Sequence, residues 1–148
     1  MNQALAFDCF SFVDLSFVVD PPLAADGGYV DHEGGDFELF SFVHGSDVVV
    51  YVSLGMAGLF KVVMHDGNGA SIGFVYRGED CVVRGIYSRP EMFAEWWDRS
   101  TECWGGVDWV MGDMNARHRD WEAGDSEVVN SHGRCLKTTV TRYGFNVI

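Results

Sequence analysis

Apolar positions along the chain follow two periods, and their order predicts the elements. "VDLSFVV", Val13–Val19, is a short run rich in β-branched and aromatic residues. It stops at Asp20-Pro21-Pro22, since two prolines in a row cannot continue a central strand. "DVVVYVS", Asp47–Ser53, is denser still and reads as a buried strand. Between them, the Gly-Gly and Asp-Gly steps of "LAADGGYVDHEGGDF" predict an irregular loop. From Leu59 to Ser88 the apolar runs recur around Asp66-Gly67-Asn68-Gly69 and Gly78-Glu79-Asp80, which predicts successive strands joined at those turns.

The period then lengthens. In "RPEMFAEWWDRST" Met92/Trp96 and Phe93/Trp97 recur four residues apart, Pro90 suits a first helical turn and Glu91 its positive end. "VDWVMGD", Val107–Asp113, returns to a strand pattern. In "NSHGRCLKTTVTRYG", Leu136, Val140 and Tyr143 share a helical face, with a cap at Asn130 or Ser131 and a stop at Gly144. "FNVI" opens one more strand. Strands outnumber helices, and the helices come late and between strands. That predicts an α+β fold of packed sheets with helices outside. The strands are too uniformly apolar to face water on one side.

Composition narrows this picture. The chain has 148 residues, 47% of them hydrophobic and 22% charged, which predicts one domain with a real core. No apolar run is long enough to span a bilayer, so no membrane embedding is expected. "MNQALAFDCFSF" has no basic region and no small-residue cleavage site, so no signal peptide is read. Cys9, Cys81, Cys103 and Cys135 are scattered, which predicts free thiols in a reducing, intracellular setting. A formal charge of −12 argues against simple electrostatic binding of nucleic acid. It does not exclude an enzyme that recruits phosphate through a bound divalent cation.

The chemistry concentrates in "GDMNARHRDW", Gly112–Trp121. A strand ends there in a carboxylate and a carboxamide two residues apart, a spacing that predicts both side chains on one face. This stretch resembles the Gly-Asp-Phe-Asn-Ala signature of the endonuclease/exonuclease/phosphatase superfamily. It is most similar to the endonuclease domain of non-LTR retrotransposon polyproteins, where a histidine and a tryptophan follow, as His118 and Trp121 do here. "NSHGRCL", Asn130–Leu136, resembles the family's Asn-x-x-Gly-Arg-x-Leu helix opening. "RGIYSRP" resembles its strand ending in a tyrosine, Tyr87, and "LSFVVDPP" its strand ending in Gln-Glu-Pro, with Asp20 in place of the metal-binding glutamate. Four landmarks in order cover most of the chain.

The resemblance implies a partial four-layer αββα sandwich over residues 1–148 and a metal-dependent phosphodiesterase that nicks DNA with Mg²⁺ or Mn²⁺; the nucleus is the working place it implies for an intact relative, and the location of this chain stays open. Phosphodiester hydrolysis needs a nucleophilic water, charge stabilisation on phosphate and help for the departing oxygen; a hard cation on oxygen ligands serves the second. By resemblance, Asp20 is the metal ligand and Asp113 orients and activates the water. Asn115 holds phosphate or water, and Tyr87 bonds a phosphate oxygen or eases the leaving oxygen. His118 contacts substrate or stabilises its loop.

Each assignment has a plainer rival. Asp113 and Asn115 also suit an Asx-turn leaving a strand. Asp20 before two prolines also suits a loop start, and as a ligand it withdraws the carboxylate by about 1.5 Å relative to glutamate. Tyr87 also suits an ordinary sheet position. Trp96, Trp97, Trp109 and Trp121 read as core, and Asp120, Glu122, Asp125 and Glu127 as a solvated loop. Cys103, His118, His132 and Cys135 fit no common zinc spacing. The family's opening asparagine strand and closing Ser-Asp-His segment have no match in this sequence. The expectation is therefore an impaired catalyst, with a non-catalytic remnant or binding module of the same fold as the alternative.

Overall fold

The computed structural model describes residues 15–19, 36–92, 94–121 and 128–147. The strands are β1 Leu15–Val19, β2 Phe37–Ser41, β3 Val48–Ser53, β4 Phe60–His65, β5 Gly69–Tyr76, β6 Glu79–Tyr87 and β7 Trp109–Asp113. The α-helices are α1 Ala94–Thr101 and α2 Ser131–Tyr143. Short 3₁₀ turns cover Ala57–Leu59 and Glu102–Trp104. The strands form two sheets, ordered β1-β3-β2 and β4-β5-β6-β7. Every pairing is antiparallel except β6 with β7, which is parallel.

The fold is α+β, as the pattern predicts. Val48, Val50, Ala70, Ile72 and Val83 pack between the sheets. Burial of each valine or isoleucine side chain contributes roughly 1.5–3 kcal/mol. Close approach of the sheets depends on Gly85: a Cβ there would lie 2.1 Å from the Phe17 ring of β1. β1 thus crosses β6 and β7, while the Phe40 ring of β2 meets Phe60 of β4 with centroids 6.2 Å apart. On the outer face of the four-stranded sheet, Ile86 packs with Trp96 and Trp97 of α1, Trp104, and Leu136 and Val140 of α2. The described residues show three layers: sheet, sheet and helices.

Several boundaries differ from the pattern. β2 falls in and beyond the stretch expected as loop; it pairs with β3 through an irregularity between Leu39 and Ser41, which breaks the alternation that would have marked it. The second hairpin turns at Arg77-Gly78, both with positive φ, so Glu79 and Asp80 already belong to β6. Pro90 and Glu91 lie in a turn closed by Met92 N–H to Arg89 C=O, and α1 starts only at Ala94. Phe93 lies outside the described residues. Phe145–Val147 form no strand: the Phe145 N–H bonds back to Val140 C=O and its ring packs on Trp104. β4 is exposed at Val62, Val63 and Met64, as a sheet-end strand is. Trp109 is 48% exposed rather than core, because β7 is the other end strand.

Candidate functional site

Parallel pairing of β6 and β7 sets Tyr87 opposite Asp113. Tyr87 packs against the inter-sheet cluster with Val83, and Asp113 lines the groove beside β7. The Ser88 N–H donates to Asp113 C=O at 2.9 Å and the Tyr87 N–H to Asn68 C=O at 3.0 Å, so these strand ends are fixed to each other and to the β4–β5 turn. β1 ends at the same place. Val19 pairs with Val48, and Asp47 beside it grips Arg89, two residues past Tyr87, through both carboxylate oxygens. The C-terminal ends of β1, β6 and β7 therefore gather at one end of the sandwich. Asp20, which follows Val19, lies outside the described residues.

Asp113 is exposed and carries no ion-pair partner among the described residues. Its Oδ1 accepts the Asn115 N–H at 3.0 Å, which is the Asx-turn of the plainer reading. The strand ends at Asp113, and Asn115 sits beyond it with φ 46°. Strand alternation therefore does not reach Asn115, although it lines the same groove as Asp113. Its Nδ2 donates to Ser88 C=O at 2.8 Å.

A buried cluster supports this turn. Ser88 is fully buried, and its Oγ lies 2.7 Å from His132 Nδ1. Trp97 Nε1–H, which can only donate, reaches the same Nδ1 at 3.1 Å. His132 Nδ1 is thus an acceptor and its ring hydrogen sits on Nε2. Asn130 closes the loop from the other side. It caps α2 by accepting the Gly133 N–H at 2.7 Å, accepts the Arg117 N–H at 3.0 Å and donates from Nδ2 to Asn115 C=O at 2.7 Å. A Cβ on Gly133 would lie 1.9 Å from Arg117 C=O, so the helix start fits against the loop only as glycine. "NSHGR" is in this fold a clasp on "GDMNAR".

His118 serves its own loop. Its Nδ1 accepts the Asp120 N–H at 3.2 Å, and its ring stacks on Trp121 with centroids 4.8 Å apart. Lys137 holds Asp120 at 2.6 Å and keeps that carboxyl below the usual range. Burial pushes the Cys103 and Cys135 thiols up, away from the thiolate that zinc requires.

Sequence reasoning missed Ser88, the Asp47–Arg89 pair and Arg117. Arg117 lines a groove together with Asp113 and Asn115 and brings an exposed cation to the strand ends. Only its place inside the signature could have marked it. Asp47 and Arg89 are far apart in sequence and leave no local signal.

A hard divalent cation prefers oxygen ligands and needs only one or two carboxylates beside substrate phosphate. Asp113 fits, being exposed and free of a counter-ion among the described residues; Asp47 and Asp66 do not, since Arg89 and Arg84 hold them. No three His, Cys, Asp or Glu side chains cluster as a metal site among the described residues. Nor is any described helix long and apolar enough to cross a membrane.

No family model matches the chain, and no curated protein sequence does. Among solved structures, the fold is similar to "Endonuclease domain of TRAS1, a telomere-specific non-LTR retrotransposon", with a TM-score of 0.56 and 14% identity. The match covers 93% of this chain and 56% of that one. The chain thus has an endonuclease-like fold and spans about half the length of that neighbour.

Proposed function

We propose that this chain belongs to the endonuclease/exonuclease/phosphatase superfamily and is a retroelement-derived phosphodiester hydrolase acting on DNA with Mg²⁺ or Mn²⁺. One observation carries the reading: Tyr87 and Asp113 are register partners at the ends of adjacent parallel strands, at the end of the sandwich where β1 also ends. Asp113 orients and activates the attacking water. Tyr87 bonds a phosphate oxygen or eases the leaving oxygen. The Asn115 side chain braces the Ser88 carbonyl beneath them, and the Arg117 guanidinium offers a cation to phosphate. Asp20 and Asp113 would hold the metal, which supplies charge stabilisation on the phosphate when bound.

The test is nicking of supercoiled plasmid with Mg²⁺. Asp113→Asn should lower the rate by about 10²- to 10⁴-fold, the usual range for losing a positioned acid–base group. Nicking that survives this substitution would falsify the assignment.

A second reading has its own support. Asp113 Oδ1 accepts within its own turn and Asn115 Nδ2 donates to Ser88 C=O, so both side chains are engaged in structural hydrogen bonds. In that case the chain is a non-catalytic binding module of the same fold, and no Mg²⁺-dependent nicking appears in the wild type.

A further inference from the structure

The formal charge of −12 is unevenly spread. Residues 128–148 carry three cations, Arg134, Lys137 and Arg142, and no acid. The exposed positions of α2 are Ser131, Arg134, Lys137, Thr138, Thr141 and Arg142. They recur at three- and four-residue steps, so they form one face, about 140° wide at 3.6 residues per turn. The opposite face packs into the core through Leu136 and Val140. A solvated helix face usually mixes charge signs in pairs along its length. This one holds cations and hydroxyls alone. Arg119 extends it from the signature loop: Lys137 Nζ lies 2.6 Å from Asp120 Oδ2, and Arg119 acts on the same carboxyl. Arg134 and Arg142 flank a groove of about 260 Å³ between α1 and α2, with Asp98 on its other side. Asp98 and Asp120 thus stand against four cations. Arg119, Arg134 and Arg142 have no carboxylate partner among the described residues.

The chemistry of this face selects its partner. Covering unpaired cations with apolar polypeptide is costly, so the face suits an anion rather than further core. A protein interface needs an apolar centre, and an interfacial helix inserts apolar side chains into lipid. The exposed positions of α2 include no apolar residue. A nucleic-acid backbone is held by charges and hydroxyls without either, and the arginine fork matches phosphate oxygens. Arg134 and Arg142 are eight residues apart, about 12 Å along the helix. Duplex DNA carries one charge per about 1.7 Å of its axis, so the face spans several phosphates. Charges beyond about 8 Å are largely screened at physiological salt, so the local set outweighs the total of −12. The face also starts at the candidate site. Asn130 ties the beginning of α2 to the 115–117 loop, and Arg117 of that loop lines the groove with Asp113.

We infer that the exposed face of α2, together with Arg119, binds the phosphate backbone of DNA on the flank of the strand-end site. The choice of DNA rests on the nuclease reading; the binding itself needs neither metal nor turnover. The test is fluorescence anisotropy of a short labelled duplex with the full chain, in EDTA and at stepped salt. Affinity should fall as salt rises. Thr138→Glu, which puts an acid in the middle of the face, and the double variant Arg134→Gln/Arg142→Gln should each weaken binding by about tenfold or more. The double variant should also lower the log–log salt slope by about 2, at about 0.9 per lost phosphate contact. Thr138→Gln, of similar size and no charge, should bind as the unmodified chain does. So should Arg77→Gln, at the opposite end of β6 from Tyr87. The inference is overturned by the absence of binding, by affinity indifferent to both α2 variants, or by an equal loss from Arg77→Gln. Equal affinity for phosphatidylserine vesicles would make the face a general anion surface and overturn it too. The two readings fail separately. A chain that binds through α2 without nicking keeps this inference and loses the nuclease reading. One that nicks with its affinity unmoved by Thr138→Glu does the reverse.

Discussion

At the scale of single residues, Asn130 and Gly133 decide whether the candidate site keeps its shape. Asn130 satisfies two backbone N–H groups and one C=O, at the start of α2 and across the 115–117 loop. Loss of an N-cap side chain alone costs about 1 kcal/mol. Asn130→Ala should therefore lower stability by about 2 kcal/mol, since it removes two further bonds to the loop besides the cap. Gly133→Ala meets backbone at 1.9 Å and should cost about 1–3 kcal/mol through overpacking. Urea midpoints of the two variants check both, and a loss under a few tenths for either would mean the clasp is not tight. The sequence shows half of this. A cap at Asn130 is legible from its own helix, because capping is local. The grip on the loop fifteen residues upstream is a tertiary contact, and no local pattern records it. The same limit explains Asn115: the spacing from Asp113 counts residues, but only the fold shows where the strand stops.

At the scale of elements, β6 carries what the pattern concealed. Arg84 looks like an exposed charge in "VVRGIY", yet it is fully buried on the helix-facing side of the sheet. It donates to Asp66 at 2.8 Å and to Ser71 at 3.0 Å. Asp66 also accepts the N–H groups of Asn68 and Gly69, so one carboxylate shapes the β4–β5 turn and neutralises the β6 cation. The turn was legible in Asp-Gly-Asn-Gly; its ion partner eighteen residues away was not. The two partners differ in exposure, with the Arg84 side chain at 0% and Asp66 at 38%. Asp66→Ala strands a buried guanidinium and removes the turn's acceptor, a loss on the order of 3–5 kcal/mol. Arg84→Met leaves a carboxylate that water reaches and that still holds its turn, so it should cost clearly less. Thermal melts of the two variants should rank in that order, and the reverse ranking would show that the pair matters through packing of the arginine stem.

At the scale of the whole molecule, the strand pattern foretold two layered sheets but not what ties them. Apart from apolar packing, His65 of β4 makes such a tie. Its Nε2 donates to Val48 C=O of β3 at 3.0 Å, and its Nδ1 accepts the Ser41 hydroxyl of β2 at 2.6 Å. A carbonyl cannot donate, so Nε2 carries the ring hydrogen, and in the neutral ring the Ser41 hydroxyl donates to Nδ1. Burial lowers the His65 pKa from its ordinary 6.5, the nearby Arg84 charge acts in the same direction, and Val48 and Asp66 offset part of this. The sign follows from proton counting. Between the lowered folded pKa and 6.5, the unfolded chain binds a proton that the folded one refuses, so acid favours unfolding. The contribution is complete above 6.5 and is lost as pH falls through the folded value. Urea midpoints should therefore fall between neutral and mildly acidic pH, and His65→Gln, which cannot titrate, should flatten that part of the fall. An equal slope in the variant would move the acid sensitivity to another histidine and reduce His65 to a neutral spacer between the sheets.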